Sequence, residues 1–130
     1  MERIRVVLDV GGLRRLADRS PRSLILLRTL RERGLWPGIV PSAVLAEALT
    51  GDAEADRAVE ALLRGCEVIE QLDATTARRA AWLRTAANRG TALDAITVAL
   101  AEPGGAVLVA QRPTIEAMAL FADGVFVERI

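Results

Sequence analysis

Three acids stand where an acid is costly. Asp9 ends the apolar run VVLD at residues 6–9, Glu47 lies inside VPSAVLAEAL, and Asp94 opens the apolar stretch of TALDAITVALA. Carboxylates seldom sit against a core unless a partner compensates them. Each has an ordinary structural explanation. Asp9 can cap the helix that follows it. Asp94 stands three residues after Thr91, the spacing of a capping box with aspartate in place of glutamate. Glu47 has Val44, Leu45, Ala48 and Leu49 as neighbours, so it must either reach an edge or face a polar site.

The rest of the composition narrows the chemistry available. The chain has no histidine, and all 17 of its basic residues are arginine. That removes histidine triads and metal ligands, lysine phosphate cradles and Schiff bases. Any catalysis rests on carboxylates, hydroxyls, arginines or backbone groups. The net charge is zero but uneven: residues 1–37 hold nine arginines against four acids, and residues 45–73 hold eight acids against two arginines. A basic third of this kind can hold a polyanion locally. The lone Cys66 forms no internal disulfide and reads as a small buried hydrophobe. Trp36 and Trp82 read as core or interface packing rather than base-stacking platforms, and four aromatics in all argue against stacking along a single strand.

The elements that must position these residues are well punctuated. IRVVLD reads as a continuous buried strand, followed by a helix over VGGLRRLAD. A second helix has Ser20 as N-cap, Pro21 at its first position, Gly34 as terminator and a stripe of Leu24, Leu27 and Leu30. GIV is a short strand, then a helix runs from Pro41 and Ser42 to Gly51 and another from Asp52 through DAEADRAVEALLRG. EVIEQL is the third strand. Helices capped by Asp73 (ending at Gly90) and Thr91 (stopped by Pro103) precede the strand AVLVA, the helix PTIEAMALFADG and the strand VFVERI. Residues 1–130 therefore form one α/β domain of three layers, with a central, mainly parallel five-stranded sheet flanked by helices. Such sheets take ligands at the carboxyl ends of their strands, where the strand order reverses. No apolar run approaches the length needed to cross a bilayer, and the amino terminus does not read as a secretory signal, so a cytoplasmic protein is expected.

Taken in order, VVLDVGGL, VPSAVLAEAL, GTALDAITVALA and GGAVLVAQRPTIEAMA resemble the PIN-domain family, and within it the VapC-like ribonuclease toxins of bacterial toxin–antitoxin systems. The resemblance covers nearly the whole chain. It implies an endoribonuclease dependent on Mg2+ or Mn2+, with Asp9, Glu47 and Asp94 as catalytic, metal-binding acids. It also implies an RNA substrate, a small VapB-like antitoxin and a homodimer. Arg14 and Arg15, within a basic group that also holds arginines 19, 22, 28, 31 and 33, are the first candidates for positioning RNA; Arg78, Arg79, Arg84 and Arg89 either do likewise or simply solvate a helix. Oxygen-only donors suit a hard cation that keeps several waters.

The match departs from the family at one place. Strand four of the family ends in a Thr-Ser-Asp-like triplet whose aspartate is a fourth acid; here the residues are Ala110, Gln111 and Arg112. With strands one and four as neighbours, Arg112 is expected close to Asp9. Three readings are open: it points to solvent with no functional part, it favours ionised acids while competing with a metal for them, or it offers a planar donor fork to a substrate phosphate. Glu116 is a candidate substitute for the missing acid. The alternative to a nuclease is a weakened or inactive PIN-like domain that acts as a binding or assembly partner.

Overall fold

The computed structural model describes residues 4–111 and 113–130. Three short strands, β1 (Val6–Leu8), β2 (Ile39–Pro41) and β3 (Glu67–Ile69), and two of four residues, β4 (Ala106–Val109) and β5 (Phe126–Arg129), form one sheet in the order β3-β2-β1-β4-β5. Every pairing is parallel, with Val7 beside Ile39 and Val107. The helices are α1 (Val10–Ala17), α2 (Pro21–Glu32), α3 (Ser42–Ala48), α4 (Ala53–Leu63), α5 (Ala74–Ala87), α6 (Ala92–Ala101) and α7 (Pro113–Ala119).

Successive residues of a strand face opposite sides of the sheet, and β1 shows what that does here. Val6 and Leu8 enter one core with Leu13 and Leu16 of α1, Leu27 and Leu30 of α2, Val44 of α3 and Val59 of α4. Val7 enters the other with Leu83 of α5, Val98 of α6, and Ile115 and Met118 of α7. The sheet is therefore covered on both faces, which is why its strands read as unbroken apolar runs.

Most caps match the sequence signals. Ser20 accepts from Ser23 N, Asp52 from Ala55 N and Asp73 from Thr76 N, while Thr91 and Asp94 form the full capping box. Three details differ. Helix α5 ends at Ala87 because Asn88 takes the left-handed conformation, before Gly90 is reached. Helix α3 stops at Ala48. In α2, Leu24 and Ile25 are 45% and 65% exposed, and the buried face is Ser23, Leu27 and Leu30. The Ser23 hydroxyl donates to the Arg15 carbonyl at 2.9 Å, so a polar bond turns that face inward.

Candidate active site at the carboxyl rim of the sheet

The strand order reverses between β1 and β4: β2 and β3 continue on one side and β5 on the other. Asp9 leaves β1 at that point. Its backbone N–H donates to the Leu108 carbonyl of β4 at 3.3 Å, and its Oδ1 accepts from Gly12 N at 2.6 Å as the N-cap of α1. The two glycines of VVLDVGG now have a cause. A Cβ at Gly12 would run into the Leu108 carbonyl oxygen, and one at Gly11 would lie 2.9 Å from Ala110 Cβ. Only a helix without side chains at these positions can start this close to β4, and that start holds the Asp9 carboxylate on the rim.

Asp94 reaches the same rim from the other layer. Helix α6 finishes beside the amino ends of the strands, where Gly105 N donates to Ala101 O and Ala106 N to Arg5 O. Its first turn is therefore at the carboxyl ends. Asp94 Oδ2 accepts from Thr91 N at 3.1 Å and from the hydroxyl of Thr114, just beyond β4, at 3.0 Å. Both aspartates are 3% exposed. Thr114 was missed in the sequence: its partner is 20 residues away, with no local spacing to mark the pair.

Glu47 lies on α3, which packs against α1. The Arg14 guanidinium donates to the Glu47 carbonyl oxygen at 2.8 Å, and the Glu47 side chain is exposed. Of the two routes open to Glu47, it takes the one to an edge. Arg14 thus has a structural bond joining two helices; Arg15 is exposed on the outer side of α1, lining a cleft with Asp18, Arg22 and Arg129.

Glu116 does not join the aspartates. It is held by Arg129 of β5, with Nε to Oε1 at 2.6 Å and a second bond to Oε2 at 3.0 Å, and this guanidinium holds its carboxyl below the usual range. The substitute role expected for Glu116 is thereby replaced by an ion pair closing α7 onto β5. Arg112 lies outside the described residues. Trp82 is 53% exposed, with the Arg79 guanidinium 4.7 Å from its ring centroid, so it belongs to no core. Trp36 is partly buried against the first core, as expected. Cys66 is half-buried, and burial pushes its thiol up to about 11.

Oxygen donors of this kind suit Mg2+ or Mn2+. Among the described residues no three acid, thiol or imidazole groups gather into a metal-holding cluster. An all-protein cage is therefore not preformed. Mg2+ rarely needs one: it is commonly held by one or two carboxylates, with waters and substrate phosphates completing the octahedron. Asp9 and Asp94, buried at the rim, are the carboxylates that would supply such ligands.

No protein-family model matches this chain, and no curated protein matches it in sequence. In fold it is similar to the crystal structure of PAE2754 from Pyrobaculum aerophilum, with a TM-score of 0.64 and 15% identity over 97% of this chain and 92% of that one. That likeness is one of fold.

Proposed function

We propose that the protein is a PIN-domain, VapC-like endoribonuclease that hydrolyses RNA phosphodiester bonds with Mg2+ or Mn2+. The observation that carries this reading is the pair of buried carboxylates, Asp9 and Asp94, brought from opposite layers to the rim where the strand order reverses. Two carboxylates set on one rim of a sheet at its switch point suit a hard divalent cation, which takes oxygen ligands.

The residues divide the work. Asp9 and Asp94 would hold the ion; Gly12 N and the Thr114 hydroxyl fix the two carboxylates by occupying one oxygen of each. The resemblance assigns Glu47 to the same set of acids; exposed at an edge of α3, it would act through the ion's water shell rather than as a buried ligand. A bound divalent ion supplies a water of lowered pKa and neutralises charge developing on the phosphate oxygens. The apolar layers beneath exclude solvent from the rim's inner side. A cytoplasmic setting, a VapB-like antitoxin and a homodimer belong to the same proposal and rest on the resemblance. Among the described residues no helix is long and apolar enough to cross a membrane.

A second reading is favoured by Arg112 in place of the family's fourth acid. In it the domain binds partners without cutting. End-labelled RNAs of varied sequence, incubated with Mg2+ or Mn2+, separate the two. The nuclease reading expects cleavage by the unaltered protein that Asp9→Asn removes. Intact RNA with the unaltered protein, but cleavage by Arg112→Asp, would overturn it and identify Arg112 as the inactivating residue.

A further inference from the structure

Beside the aspartate rim, the end of α5 and the turn that follows it form a shallow cleft lined by Arg84, Thr85, Asn88, Arg89 and Gly90. Its wall is continuous with the rim. A methyl group at Gly90 would lie 3.4 Å from Asp94 Oδ2 and 3.3 Å from Thr114 Cβ, so only a glycine's width separates the cleft from the Asp94 carboxylate. We propose that this cleft is a phosphate subsite, in which Arg84 and Arg89 hold the RNA backbone next to the bond that is cut.

Three observations converge on it. Asn88 adopts the left-handed conformation (φ 53°), and the resulting sharp turn brings Arg89 back beside Arg84 on one cleft. Among the described residues neither arginine is taken up by an ion pair, as Arg79 of the same helix is by Glu102, so both guanidinium forks can meet a ligand. Two guanidiniums on one concave surface would both be served by an anion placed between them, and their planar forks match phosphate oxygens. Thr85 and Asn88 add neutral hydrogen-bonding groups. A cation in the last turn of α5 also complements the helix dipole, which accounts for Arg84. It does not account for Arg89, beyond the helix end. Of the two basic groups offered by the sequence, the cleft favours the second, whose Arg84 and Arg89 share a lining with Gly90, the neighbour of Asp94.

This inference rests on the ribonuclease reading, and its test works without cleavage. Binding of a fluorescein-labelled single-stranded RNA is followed by anisotropy in EDTA, from 50 to 250 mM salt. Each lost phosphate contact lowers the slope of log affinity against log salt by about 0.7 for single strands. Arg84→Gln/Arg89→Gln should therefore flatten the slope by about 1.4 and weaken binding about 25-fold at 0.1 M salt. Arg57→Gln/Arg64→Gln removes the same charge from α4 and its C-cap, outside the basic groups named above, and should change the slope by less than about 0.3. Arg89→Gln alone should lower it by about 0.7 without altering the melting temperature, which guards against damage to α5. The subsite is refuted if the Arg84/Arg89 variant keeps the original slope, if the control loses as much, or if the unaltered protein has no RNA affinity. Failure of cleavage with the slope change intact would count against the nuclease reading alone.

Discussion

Replacing Asp94 by alanine and by asparagine separates what this side chain does for the fold from what it would do for a cation. Alanine removes the acceptor for Thr91 N and for the Thr114 hydroxyl together. Loss of a cap costs about 1 kcal/mol, and a polar group left unpaired at a largely buried site costs about 1–3 kcal/mol more. The sum is roughly 2–4 kcal/mol, or about 8–16 °C in melting temperature for a chain of this length. Asparagine keeps an oxygen that accepts both bonds and gives up only the charge, so its cost should stay below about 1 kcal/mol. Differential scanning calorimetry in EDTA and in millimolar Mn2+ reads both effects. Asp94→Asn should melt close to the unaltered protein in EDTA and gain nothing from Mn2+, whereas the unaltered protein should be stabilised by it. If the alanine variant melts with the asparagine one, the capping account is wrong. If the asparagine variant is stabilised by Mn2+ as fully as the original, Asp94 holds no ion.

Other consequences follow from the same geometry. Gly12→Ala puts a methyl group into the Leu108 carbonyl, and overpacking of this kind costs about 1–3 kcal/mol; an unchanged urea midpoint would show that α1 can retreat from β4. Asp56, whose carboxylate is bonded by Thr50 N, the Thr50 hydroxyl and Gly51 N, and Glu102, held by Arg79 at 2.7 and 2.8 Å, both have carboxyls below their ordinary values. The unfolded chain therefore takes up these protons first as pH falls. Their stabilisation is fully present above about pH 5 and lost through pH 4 and below. Arg79→Ala should flatten that loss, because Glu102 then titrates nearer its ordinary value in the fold; identical urea midpoints against pH for both proteins would contradict this. With the Cys66 thiol near 11, roughly one molecule in three thousand carries the thiolate at pH 7.5, so alkylation by iodoacetamide should be slow in the native protein and rise on unfolding. Fast native labelling would contradict the burial of that thiol.

What the sequence made legible was local. The Thr91–Asp94 box, the Ser20, Asp52 and Asp73 caps and the run VVLD all declare themselves within four residues, and from them the five strands and the layered α/β plan could be read. The pairings that complete the site are not local. Thr114 meets Asp94 across 20 residues, Arg14 meets the Glu47 carbonyl across 33, and Glu116 meets Arg129 across 13 from helix to strand. Nothing in their neighbourhoods marks these partners. The glycines after Asp9 could be seen as a break, but their cause, the carbonyl of Leu108, exists only once β4 lies beside β1. In α2 the leucine pattern pointed to Leu24; a single hydroxyl, that of Ser23, turned the helix away from it.

The most direct test of a shared cation is a crystal of the protein soaked in Mn2+ and measured at the manganese absorption edge. The account predicts one strong anomalous peak at the rim, about 2.1–2.2 Å from a carboxylate oxygen of Asp9 and of Asp94, with Glu47 reaching it through a water. A saturated soak with no peak there, or a peak bound to one aspartate and not the other, would contradict it.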